Sequence, residues 1–247
     1  MSVETNTKTT KRKPACAEKQ SMFDNDDIIE IGIDEAGRGP LFGRVYVAAV
    51  ALPLHSSSFP YDLMKDSKKF TSEKKLEAVA MEIMEKSIAY SVKFAEHNEI
   101  DNENILRITM RLMSEASESV RHATKDLNKE YHLLVDGNYY RPKVTLLPNG
   151  DVYTDEYTCV EGGDAMYASI AAASILAKYH RDKYIYDMCD HYPSLDEIYG
   201  LRRNKGYGTA KHMQAVREYG RSQWHRVSFN PCRTAKLITI AQEDKSE

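Results

Sequence analysis

No apolar run in this chain of 247 residues reaches the roughly 20 residues that a bilayer-spanning helix needs, and the polar N-terminus lacks the apolar core of a secretory signal. A membrane role is therefore not expected, and a cytoplasmic setting is. Cysteine is scarce. Cys16, Cys159, Cys189 and Cys232 form no CxxC pair and no dense framework, which argues against a structural zinc site and for reduced thiols. Internal repeats are absent as well, so no repeat architecture is expected. A large net charge is also missing: 34 Lys and Arg against 37 Asp and Glu leave −3, which by itself speaks against a nucleic-acid partner.

That average hides an asymmetry. Between Gly200 and Ser228 lie Arg202, Arg203, Lys205, Lys211, Arg217, Arg221 and Arg226 against the single acid Glu218, with His212 and His225 in the same stretch. A local basic surface binds phosphates whatever the whole-chain balance. The length allows one domain with a sizeable core. Residues 1–27 are polar and aperiodic and read as a disordered arm, whose Lys11-Arg12-Lys13 cluster would give a nuclear address if it functions as one. Residues 28–230 read as the folded domain and 231–247 as a tail.

Within the domain, alternating Ile29, Ile31 and Ile33 predict a strand over 28–34. Further strands are expected over 45–52, 88–94, 132–136 and 157–160. A helix carries Leu76, Val79, Ile83 and Met84 at 3.6-residue spacing, and a longer one is expected over 102–122 with Ile105, Ile108, Leu112, Met113, Ala116 and Val120 on one face. An alanine-rich helix begins near Ala165 and passes Lys178, and another spans 209–219. Interleaved strands and helices indicate an α/β fold with some antiparallel pairing among the early strands.

The first strand ends in two adjacent carboxylates, Asp34 and Glu35, followed by the turn Gly37-Arg38-Gly39-Pro40. Carboxylate oxygens suit a hard divalent cation. The glycines allow close backbone approach to a bulky anionic partner, and arginine pairs with phosphate. Read alone, the same residues make an ordinary strand end and turn. Asp136 repeats the pattern, an apolar strand ending in a carboxylate and then glycine, and adjacent strand ends converge on one crevice in α/β sheets. Asp164 precedes the alanine-rich helix and is either a helix cap, a metal ligand or both. Ser174 and Lys178, four residues apart, share a helical face suited to a phosphate.

Seven blocks in order resemble the type 2 ribonucleases H, the ribonuclease HII family. They are Ile33–Pro40, Lys65–Lys69, Val135–Gly137, Gly163-Asp164, Ser169–Lys178, Asn204–Thr209 and His225–Phe229, together covering about residues 28–230. The resemblance implies a ribonuclease H-like fold, with a mixed central sheet flanked by helices and a helical C-terminal extension. It implies an endonuclease, dependent on Mg²⁺ or Mn²⁺, that acts on RNA/DNA hybrids and on duplex DNA containing ribonucleotides. Cleavage is expected 5′ of the ribonucleotide, leaving a 3′-hydroxyl and a 5′-phosphate. The family's four catalytic and metal-holding carboxylates fall on Asp34, Glu35, Asp136 and Asp164. Its substrate contacts fall on Gly37, Arg38, Gly39, Lys68, Ser174, Lys178 and Tyr207. A monomer is expected, with accessory subunits left open. The alternative is a catalytically silent hybrid-binding protein of the same fold, against which the complete carboxylate set argues.

Three features depart from the family pattern. Glu161 stands where members commonly carry lysine, adding negative charge near Asp164. The stretch between Asp136 and Asp164 is long, and its excess around 139–154 reads as a hairpin turning at Asn149-Gly150. Phe42 and Arg44 replace a small residue and a proline.

Overall fold

The structure is a computed structural model that describes residues 21–241 apart from 24, 55, 65–69, 71 and 147. Lys68 and the Lys11-Arg12-Lys13 cluster lie outside the described residues. The chain runs through β1 (Ile28–Ala36), β2 (Val45–Ala51), α1 (Glu73–Lys86), β3 (Ala89–Ala95), α2 (His97–Glu103), α3 (Ile105–Thr124), β4 (Glu130–Asp136), β5 (Val144–Leu146), β6 (Val152–Thr154), β7 (Tyr157–Val160) and α4 (Ala168–His191). Short α5 (Ser194–Tyr199), α6 (Leu201–Asn204) and α7 (Ala210–Glu218) follow, then the two-residue strands β8 (Arg221–Ser222) and β9 (Leu237–Ile238). The main sheet has the order β3-β2-β1-β4-β7, antiparallel from β3 to β1 and parallel from β1 to β7. This is the expected α/β architecture with a mixed sheet between helical layers.

The alternation along β1 decides where the chemistry sits. Ile29, Ile31 and Ile33 enter a core shared with Ile108, Leu112, Ala116 and Val120 of α3. The intervening residues face α4 instead. The Ser169 hydroxyl donates to Glu30 Oε1 at 2.6 Å, and a Cβ on Gly32 would stand 2.0 Å from the Ser169 carbonyl carbon. Only glycine lets the helix backbone lie that close to the strand. On the helix side, Ala168 to Ala177 are all buried. Small side chains there let α4 lie deep against β1 and β2, so the next β1 residue on that face, Asp34, meets α4 as well.

The structure departs from the sequence reading in three places. The helix expected over 102–122 is two helices, broken at Asn104, whose φ is +86° and whose side chain accepts from the Arg107 N–H at 3.0 Å. Asparagine tolerates that backbone and caps a helix start, so the apolar stripe runs from α3 only. The expected tail is folded as far as Ile240. Cys232 and Ile240 are buried, β9 pairs with β8, and the Gln223 side chain makes two hydrogen bonds to the Ile240 backbone. Its apolar residues, mainly Leu237, Ile238 and Ile240, are too few to show a period. The arm, too, is anchored at its end: Ser21 and Met22 donate to Glu30, and Phe23 packs on His132. The β5–β6 hairpin forms where expected, with Gly150 at φ +90° in its turn.

Candidate active site

Parallel pairing of β1 with β4 brings two carboxylates to one edge. Ile33 is opposite Val135, so Asp34 and Asp136 leave neighbouring strand ends together. Asp34 is buried, and burial, followed by the charges of Glu35 and Asp136, pushes its carboxyl well above the usual range. The Ser174 hydroxyl and the Glu35 backbone N–H oppose that shift by donating to the carboxylate, the latter at 2.7 Å. Asp136 accepts from the Gly163 N–H at 2.8 Å, which ties β4 to the turn carrying Asp164. That turn is a short 3-10 segment, and the residue at the N-cap position of α4 is Tyr167, not Asp164, with no side-chain capping bond. A Cβ on Gly163 would meet the Ile170 side-chain end at 2.5 Å, so a larger residue there would have to displace it.

The oxygens are not drawn to ligand distance. Among the described residues, no three His, Cys, Asp or Glu side chains are close enough together to hold a metal ion. Repulsion among the carboxylates opposes a tighter arrangement. Arg38, expected at a phosphate, pairs with Glu35 at 3.0 Å, and Lys178 pairs with Asp182 at 2.6 Å. Ser174, also expected at a phosphate, holds Asp34. The donor set of hard, mutually repelling carboxylates suits a divalent cation, although the geometry is open.

The neighbouring turn is built very differently. Arg226, expected on a basic surface, is fully buried and donates to Gly37 O at 2.6 Å, Arg38 O at 2.9 Å and Gly43 O at 2.9 Å. Arg181, also buried, donates to Phe42 O and Lys205 O. The Leu41 N–H donates to Gly206 O at 2.8 Å, and this seats Tyr207 beside the turn, its ring 3.7 Å from where a Gly39 Cβ would be. Tyr207 is half exposed. Its carbonyl meets His212 Nδ1 at 2.9 Å, and His212 Nε2 meets His225 Nε2 at 3.0 Å.

The Ribonuclease HII family profile matches residues 31–232. The chain belongs to the ribonuclease HII family. A ribonuclease HII of Chlorobium luteolum is 41% identical over 213 residues, 85% of this chain and 93% of that protein. One of Acinetobacter baylyi is 41% identical over 207 residues, 84% and 97% of the two chains. Ribonuclease HII is a nuclease of the hydrolase class, and this chain is an enzyme of that class. The ribonuclease H2 of Pyrococcus horikoshii OT3 has a similar fold, with a TM-score of 0.62 at 24% identity over 83% of this chain and 95% of that one. Bst ribonuclease HIII, solved in complex with Mn²⁺, gives 0.61 at 19% identity over 84% and 68%.

The departures from the family pattern now have physical settings. Phe42 is fully buried, with edge contacts to Trp224 and His225. Arg44 pairs with Glu96 at 2.6 Å, and its guanidinium stands 4.1 Å from the Phe94 ring centre and 4.6 Å from that of Tyr184. Glu161 is exposed. The sequence reading missed the parts played by Arg226, His212 and His225, although two of them stand in a block that it singled out.

Proposed function

We propose that this chain hydrolyses the RNA strand of RNA/DNA hybrids and nicks duplex DNA 5′ of a single embedded ribonucleotide, leaving a 3′-hydroxyl and a 5′-phosphate. The observation that carries the reading is the buried Asp34 carboxylate, raised by Glu35 and Asp136 and placed beside an exposed turn of backbone amides. Asp34, Glu35, Asp136 and Asp164 would hold two Mg²⁺ or Mn²⁺ ions, drawn closer than they stand without cations. When bound, the ions supply an activated water and neutralise charge on the leaving 3′-oxygen.

The chain's own residues do the rest. Ser174 orients Asp34. Arg38 and Lys178 exchange Glu35 and Asp182 for substrate phosphate, and Lys68 takes a phosphate by its likeness to the family pattern. Gly37, Arg38 and Gly39 offer amides to the 2′-hydroxyl, the group that distinguishes RNA from DNA, while the Tyr207 ring stacks on the adjacent sugar. The test compares a one-ribonucleotide duplex, an all-RNA hybrid and an all-deoxy duplex, each titrated with Mg²⁺ and Mn²⁺. A nick 5′ of the lone ribonucleotide, dependent on the cation, is expected. Cleavage of the all-deoxy duplex, or activity in chelator, contradicts the reading. In the same titration Glu161→Lys should lower the cation concentration required.

A further inference from the structure

Two consecutive side chains, His225 and Arg226, reach the two separate parts of the proposed sugar reader. Arg226 takes the carbonyls of Gly37 and Arg38 inward. A trans peptide is planar, with its N–H opposite its C=O. Drawing those two carbonyls inward therefore turns the N–H groups of Arg38 and Gly39 outward, on residues that are both exposed. Among the described residues neither N–H donates to a backbone carbonyl. His225 acts on the other part. The Ser222 N–H donates to His225 Nδ1 at 3.0 Å, so in the neutral ring the proton is on Nε2. That Nε2–H donates to His212 Nε2, leaving the His212 proton on Nδ1 to donate to the Tyr207 carbonyl. One tautomer assignment satisfies all four ring nitrogens.

We infer that Arg226, His225 and His212 are positioning residues that hold the Arg38 and Gly39 amides and the Tyr207 ring in register, and so set the enzyme's discrimination for a ribonucleotide. The inference rests on the sugar-reading roles given to the turn and to Tyr207 under Proposed function. It assigns their alignment to a buried dipeptide more than 180 residues away along the chain from the turn. Arg226 has no ion pair among the described residues. A buried guanidinium without a carboxylate is costly as a source of stability alone, and apolar packing of similar volume would serve that purpose better. Its three carbonyl acceptors all lie in residues 37–43, the segment that presents the amides.

The experiment measures kcat and KM for nicking a duplex with one ribonucleotide, with thermal melting as a check on folding. His212→Ala, which loses the donor to Tyr207, should lower kcat/KM roughly tenfold, because small misplacements of a reactive geometry cost about that much or more. His212→Asn, which keeps an N–H near the Nδ1 position, should recover most of the loss. In a Tyr207→Ala background, His212→Ala should cost nothing further, since the ring it aligns is gone. Arg226→Lys keeps the charge but cannot span three carbonyls, and should narrow the preference for the one-ribonucleotide duplex over the all-deoxy duplex in binding. If Arg226→Lys fails to fold, the His212 series carries the test. An equal loss from His212→Ala in both backgrounds means a role in stability only and overturns the inference, as does no loss at all. If Tyr207→Ala itself nicks at the wild-type rate, the sugar-reading role of Tyr207 falls and takes the inference with it.

Discussion

The carboxylate crevice and the Gly37–Gly39 turn are adjacent in the sequence and opposite in construction. In the crevice, buried Asp34 faces two like charges and is relieved by hydrogen bonds from Ser174 and the Glu35 amide. At the turn, buried positive charge is matched by carbonyl dipoles from Gly37, Arg38, Phe42, Gly43 and Lys205. One region stores repulsion that a cation would relieve. The other is held by hydrogen bonds to carbonyls, all three nitrogens of Arg226 being engaged, although Nε and Nη1 of Arg181 find no hydrogen-bond partner among the described residues. The proposed function, binding ions and reading a sugar hydroxyl, would use both properties, side by side.

Removing Arg226 should break the contrast most severely. Arg226→Ala leaves three carbonyls without their donor, those of Gly37 and Gly43 buried, and opens a large cavity, costing more than about 3 kcal/mol, and urea unfolding should show it. Gly32→Ala comes next. Its Cβ cannot fit against the Ser169 backbone, so α4 must lift from β1 at a cost of about 3 kcal/mol, measurable in the same way. In the crevice a mutation should have the opposite sign. Asp34→Asn removes a carboxyl whose ionisation burial and its acidic neighbours disfavour, and should stabilise the cation-free protein, raising its midpoint in urea. Added Mn²⁺ should then raise the melting temperature of wild type more than that of the variant.

The smallest effect concerns pH. Burial, above all, lowers the proton affinity of both His212 and His225, and His212, Arg221 and His97 lower that of His225 further. Folding therefore favours the neutral rings. Their contribution is complete above the ordinary histidine range near 6.5 and is lost as pH falls below it toward the depressed values. Stability measured from pH 8 down to pH 5 should decline more steeply in wild type than in His212→Asn. Equal slopes would remove the histidine pair from the account.

Much of this was legible in the sequence because it is local. The strand ends at Asp34 and Asp136, the hairpin at Asn149-Gly150 and the alanine-rich helix all show as short-range patterns, and each lies where it was expected. Asn104 escaped notice because the apolar stripe, which begins at Ile105, does not by itself mark where the helix starts. Arg226 was misread because its acceptors lie more than 180 residues away along the chain, and a buried arginine and a surface arginine look alike in a one-dimensional count of charge. The pairings of Arg38 with Glu35 and Lys178 with Asp182 are the reverse case. They sit at helical or turn spacing, visible in the sequence, yet the phosphate reading took precedence over them.

The crevice is the centre of the account, and one measurement addresses it directly. Wild type and Asp34→Asn are incubated with an end-labelled duplex carrying a single ribonucleotide, in Mg²⁺ and then in Mn²⁺, with binding followed in parallel. Wild type should nick 5′ of the ribonucleotide, while Asp34→Asn should bind the duplex with similar affinity and leave it intact. Cleavage by Asp34→Asn at the wild-type rate would contradict the assignment of Asp34 to the reacting centre.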